Sequence, residues 1–167
     1  RVLVDQTSAL LPAASKKTRT VFATCGPSQG EELGAQIAVD LLESAGFDVT
    51  FTGGGVPGDE ILAQVQQRQP DYLLMFASAA SDLPDVRMVI DRIKEIGACG
   101  RTKIVVGGGV FNRAEGLAEE IGASMCASSP MDLVEMLTTQ NVQHRFRAVP
   151  EAKTTTTTGA SRKRRAA

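Results

Sequence analysis

With 167 residues, 17.6 kDa and 43% hydrophobic residues, the chain holds enough apolar material for one packed domain with flanks, which excludes wholesale disorder. No apolar run approaches the roughly 18 residues of a membrane-crossing helix and no signal segment opens the sequence, so a cytoplasmic protein without membrane contact is expected. The net charge of −1 conceals a segregation: residues 1–140 carry 11 basic and 18 acidic side chains (net −7), and residues 141–167 carry 7 basic and 1 acidic (net +6).

Residues 1–19 read as a lead-in or linker, with a short apolar start at Val2, Leu3 and Val4, then Pro12 and the cations Lys16, Lys17 and Arg19. No Met opens the chain, so an excised domain with further sequence upstream is expected. From residue 20 short apolar runs alternate with longer amphipathic segments, the pattern of βα units around a parallel sheet. Strands are predicted at residues 20–24, 47–52, 72–77, 103–106 and 123–127. The run at 72–77 is almost wholly apolar, as a strand covered on both faces must be. Helices are predicted at about 31–45, 59–68, 84–96, 113–121 and 131–139. Leu33, Ile37, Leu41 and Leu42 recur at helical spacing in the first, Gly46 can cap its end, and Pro84 suits the first turn of the third. Strict alternation gives an α/β fold of flavodoxin-like (Rossmann-like) type, a doubly wound five-stranded parallel sheet of order 2-1-3-4-5 spanning residues 20–140. Residues 141–167 have no apolar periodicity. They run through five threonines to Arg162, Lys163, Arg164 and Arg165, and read as a basic, disordered tail.

In such a sheet a ligand sits beyond the carboxyl ends of the strands, where strand order reverses. That edge is formed by residues 25–30, 78–83 and 107–112. The triplets Gly53-Gly54-Gly55 and Gly107-Gly108-Gly109 suit either close approach of a large flat ligand or simply tight strand-to-helix turns. Familiar chemistries fail by residue type. There is no phosphate-loop Gly-Lys-Ser/Thr and no Gly-x-Gly-x-x-Gly, and Cys25 and Ser78 stand where a phosphoryl-accepting receiver needs acids. The one histidine, His144, lies in the tail, so a hydrolase triad lacks its base. Cys25 reads as a small packed thiol. Together with Cys99 and Cys126 it fits neither a disulfide framework nor a zinc site.

The stretch Cys25-Gly26-Pro27-Ser28-Gln29-Gly30-Glu31-Glu32-Leu33-Gly34 resembles the entrance motif of cobalamin-binding domains, in particular the branch found in light- and cobalamin-responsive transcriptional regulators. There the motif is Asp-x-His-x-x-Gly, often Glu-x-His-Glu-Leu-Gly. The resemblance continues through Ala45-Gly46-Phe47-Asp48-Val49, Thr52-Gly53, Val56-Pro57, Ser78, Val105-Val106-Gly107-Gly108 and Phe111-Asn112, covering about residues 20–140. Aligned on Gly34, the histidine that coordinates cobalt in the family falls on Glu31 and its acidic partner on Gln29. A carboxylate cannot supply an imidazole nitrogen, so the resemblance implies cobalamin held with its own base on cobalt or without a protein ligand. Glu31 also suits a helix's first turn with no ligand at all. The resemblance places the cofactor's nucleotide arm against Ser78, Gly107 and Gly108, and makes Gln29, Glu31, Gly34, Gly53 and Gly109 further contacts. Another tetrapyrrole such as haem, or no ligand, is the alternative.

The resemblance to the regulatory branch, with the missing Met and the lack of an acid, base or nucleophile set at the ligand edge beside it, implies a non-enzymatic function: a sensory module of a bacterial transcriptional regulator. The first alternative is a ligand-free interaction domain or haem-binding offshoot, and the second a corrinoid-carrying subunit of a methyltransferase or mutase. Expected partners are a second copy of the chain, an upstream DNA-binding or signalling domain, and nucleic acid touched weakly and without sequence preference by the basic tail.

Overall fold

The computed structural model describes residues 19–26, 32–97 and 99–139. Five strands run in parallel: β1 Thr20–Cys25, β2 Asp48–Phe51, β3 Tyr72–Phe76, β4 Lys103–Gly107 and β5 Met125–Ala127. Their order is β2-β1-β3-β4-β5, the flavodoxin-like doubly wound arrangement expected from the alternation. The helices are α1 Glu32–Ser44, α2 Gly58–Arg68, α3 Leu83–Ile96, α4 Gly109–Arg113, α5 Leu117–Glu120 and α6 Pro130–Thr138, with a 3₁₀ turn at Ala80–Asp82 ahead of α3.

Because successive strand residues point to opposite faces, each central strand feeds two cores. Val21, Ala23, Leu74 and Val105 pack with Ala38, Val39 and Leu42 of α1 and with Leu133 and Leu137 of α6. Phe22, Leu73, Met75, Ile104 and Val106 pack on the other face with Ile61 and Val65 of α2 and with Val86, Val89, Ile90 and Ile93 of α3. These strand residues are at most 4% exposed, so both faces of the sheet are dry. Withdrawing each large aliphatic or aromatic side chain from water contributes roughly 1.5–3 kcal/mol, and burial on both faces is why the central strands are near-continuous apolar runs.

The helix ends follow from sequence chemistry. After α1, Phe47 N–H donates to Leu42 O at 3.1 Å and Gly46 N–H to Glu43 O at 2.9 Å, a Schellman pair made accessible by Gly46 at φ 91°. Pro84 sits in the first turn of α3 as expected. One expectation needs correction: no single helix forms over 113–121. Two short helices, α4 and α5, take its place, because Ala114 is extended and Gly116 takes φ 81°, a left-handed conformation that ends one helix and cannot start inside another.

The amino ends of the strands are laced together. The Asp71 carboxylate accepts from Thr20 N–H at 2.8 Å and its carbonyl accepts from Lys103 N–H at 2.9 Å. Thr102 Oγ1 donates to Pro70 O at 2.7 Å, and Arg19 reaches the Tyr72 hydroxyl at 3.0 Å. Among the described residues no helix is long and apolar enough to cross a membrane. Residues 1–18 of the expected lead-in, and the whole of the expected tail 141–167, lie outside the described residues.

Candidate functional site

The strand order reverses between β1 and β3, so their connections diverge and leave the carboxyl edge open. Backbone bonds zip the strand ends there: Cys25 N–H to Gly53 O at 2.9 Å, Gly26 N–H to Phe76 O at 2.8 Å, and Ala77 N–H to Gly107 O at 2.9 Å. Between the ends of β3, β4 and β5 and the first turns of α1 and α6 lies a slot of about 240 Å³. A cavity of about 150 Å³ accommodates benzene, so this one has room for a larger ring system. Ala35, Phe76, Ala127 and Leu133 give it an apolar bed, and Ser78, Gly107, Gly108, Gly109, Asn112, Ser128 and Ser129 give it a small and polar rim.

Local chemistry holds the rim in place. Asn112 Nδ2 donates to Ser128 O at 2.9 Å, tying the loop after β4 to the loop after β5. Asp132 accepts from Ser128 N–H and Oγ, both at 2.8 Å, while Ser129 Oγ caps α6 by accepting from Asp132 N–H at 3.1 Å. Arg113 Nη2 donates to the Ser78 carbonyl, which lays the guanidinium across the loops after β3 and β4.

The glycines of this edge are not equivalent. At Gly108, φ is 114° and a Cβ would stand 2.3 Å from Ala77 O, so the turn itself demands glycine. At Gly34 a Cβ would meet nothing within 4 Å, although Gly34 lies in a helix and lines the slot. Packing does not require that glycine.

Of the sequence-predicted site residues, Gly34, Ser78, Gly107, Gly108 and Gly109 come together around one slot. Gly53 does not. It lies beside Glu32, where its own Cβ would come 3.2 Å from Glu32 Oε1, and that carboxylate accepts from Gly54 N–H at 3.3 Å. Glu32 thus ties the start of α1 to the turn after β2. Gln29 and Glu31 lie outside the described residues, as does His144. Sequence reasoning missed Ala35, Phe76, Ala127 and Leu133, which read as ordinary core, and the Ser128-Ser129-Pro130 run, whose cap-then-proline signature was there to be found.

Other groups of the edge are structural. Cys25 is 4% exposed, as a packed thiol should be, and joins no disulfide. Asp82 is fully buried against Gly26, where a Cβ would stand 2.9 Å from Asp82 Cβ. Burial, followed by the charges of Glu119 and Asp132, raises the Cys126 thiol above its usual range, which disfavours the reactive thiolate. A second, apolar cavity of about 220 Å³ lies on the opposite face between α2 and α3, lined by Val56, Ile61, Met75, Val86, Met88 and Val89 among others.

Residues 19–129 match the family model described as "B12 binding domain". The chain belongs to this family, and cobalamin is the cofactor the family defines. It is 28% identical over 127 residues to dimethylamine corrinoid protein 3 of Methanosarcina mazei, covering 75% of each chain. It is 31% identical over 126 residues to the protein of the same name in Methanosarcina acetivorans, covering 74% of this chain and 58% of that one. Among solved structures, the monomethylamine corrinoid protein of Methanosarcina barkeri superposes with a TM-score of 0.72 at 16% identity, covering 80% of this chain and 63% of that one, and so shares the fold. The chain thus spans about three-fifths of the length of the last two.

Proposed function

We propose that the chain is a corrinoid carrier for methyl transfer, holding the nucleotide arm of cobalamin in the slot between β3, β4, α1 and α6. The observation that carries this reading is the slot with its open Gly34. A glycine in a helix costs roughly 1 kcal/mol relative to alanine, and here no neighbouring atom requires it, so the space is kept for something that approaches the backbone closely. Phe76, Ala127 and Leu133 offer a bed for a flat aromatic base, while Ser78, Asn112 and Ser128 offer hydrogen bonds to a ribose. Cobalamin would supply a cobalt centre able to take up and release a methyl group.

Two further points support the carrier over the sensory module. The relatives are named for a corrinoid together with a methylated amine, which is the second alternative raised by the sequence rather than the first. Leu33 and Met131, which adjoin slot-lining Gly34 and Pro130, are 51% and 66% exposed, an apolar margin suited to a catalytic partner that must reach the cofactor. A nucleotide base held in the slot is away from cobalt, and Glu31, at the position of the family's histidine, brings no imidazole. The described residues would hold the nucleotide arm and offer no imidazole to the metal.

Incubation with hydroxocobalamin in the dark, desalting and absorption spectroscopy test this, followed by reduction to the cobalt(II) form and electron paramagnetic resonance. Retained corrinoid with no nitrogen splitting is the expected result. No retention at tens of micromolar would sink the cobalamin reading, and nitrogen splitting in the unaltered chain would sink the slot assignment. Glu31→His with Gln29→Asp should introduce the splitting.

A further inference from the structure

We infer that Arg113 makes the slot selective for complete, nucleotide-bearing corrinoids by holding the phosphodiester that joins the corrin ring to its nucleotide. The inference rests on the reading of the slot above and extends it to the class of corrinoid taken. The slot's bed is apolar and its rim neutral, which suits a base and a ribose but leaves the negative phosphodiester between the ribose and the corrin arm without a counter-charge. Arg113 supplies one. It is the last residue of α4, and its guanidinium is brought back over the rim by donation to the Ser78 carbonyl. Nη1 lies 2.9 Å from where a Gly109 Cβ would stand, so a side chain at Gly109 would displace it. Ser78 and Gly109 both line the slot, so Arg113, though not itself part of the lining, is held against two residues that are.

Among the described residues no carboxylate pairs with Arg113, in contrast to Arg87 with Asp91 and Arg92 with Glu95 on α3. A planar guanidinium that spends one donor on a carbonyl keeps the rest of its fork for two phosphate oxygens. The phosphodiester stays anionic throughout the working pH range, so the contact does not titrate. Corrinoids lacking the nucleotide, such as cobinamide, also lack this phosphate and gain nothing from the arginine.

The test compares dissociation constants of hydroxocobalamin and diaquocobinamide for the full chain, for Arg113→Gln and for Arg113→Lys. Arg113→Gln should weaken cobalamin binding about tenfold and leave cobinamide binding unchanged, with Arg113→Lys between. Added salt should weaken cobalamin binding by the unaltered chain more than by Arg113→Gln. Equal loss for both corrinoids would show that Arg113 only shapes the loops, and no loss for either would show that it is idle; both results overturn the inference while leaving the carrier reading intact. Failure of the unaltered chain to bind either corrinoid overturns both.

Discussion

Gly34 and Gly108 show how one residue type answers two different demands at a single edge. Gly108→Ala places a Cβ against the Ala77 carbonyl at positive φ, and should destabilise the fold by about 2 kcal/mol or more, read from the denaturation midpoint at unchanged slope. Gly34→Leu meets no protein atom at its Cβ and replaces a poor helix former with a good one, so stability should hold or rise by roughly 0.5–1 kcal/mol. The same leucine narrows the slot, and hydroxocobalamin affinity should fall by about tenfold or more in a titration. If affinity is unchanged, the cofactor arm lies elsewhere. The sequence pointed to both glycines but could not separate them: a glycine demanded by the turn and a glycine left open read alike until the backbone angles and neighbouring atoms are known. Gly53 is the reverse case. Its place in the motif set it beside the others, whereas the chain path takes it to the Glu32 carboxylate.

Among the elements, legibility follows the length and coherence of the pattern. The strands at β1, β3 and β4 were plain because both faces are buried and the apolar runs are uninterrupted. The segment after β4 was misread as one helix because Ala114, Leu117, Ala118 and Ile121 keep a helical spacing across Gly116, and spacing does not reveal that Gly116 turns left-handed. The end of α1 was legible from Gly46, and it also carries a testable electrostatic penalty. Burial, then the charges of Asp40 and Asp48, holds the Glu43 carboxyl above its ordinary 4.5. With the folded value above the unfolded one, the native chain binds more protons in the interval between them, so stability falls as pH rises through that interval. The penalty is absent below 4.5 and complete at neutral pH. Glu43→Gln should therefore stabilise the protein at pH 7 by about 0.3 kcal/mol, the scale of like-charged neighbours on a helix, and the gain should vanish near pH 4 in parallel thermal melts.

In the molecule as a whole, strand order was legible because parallel strands joined by right-handed crossovers leave few topologies open. The slot was not. It arises where β3, β4 and β5 end short of α1 and α6, and no local pattern records how far two helices stand from a strand end. The laced amino ends of the strands, with Asp71 joining β1, β3 and β4 and Arg19 reaching Tyr72, lie at the opposite edge from the slot. This gives the domain a gradient of amide protection. Protons at Tyr72, Leu73 and Ile104 should exchange only through global opening, whereas those of the loops after β3 and β4 should exchange through cheap local openings. Hydroxocobalamin should then slow exchange in the glycine loops and barely alter the strand starts. A domain built in this way can loosen around a bound cofactor without approaching the point of unfolding.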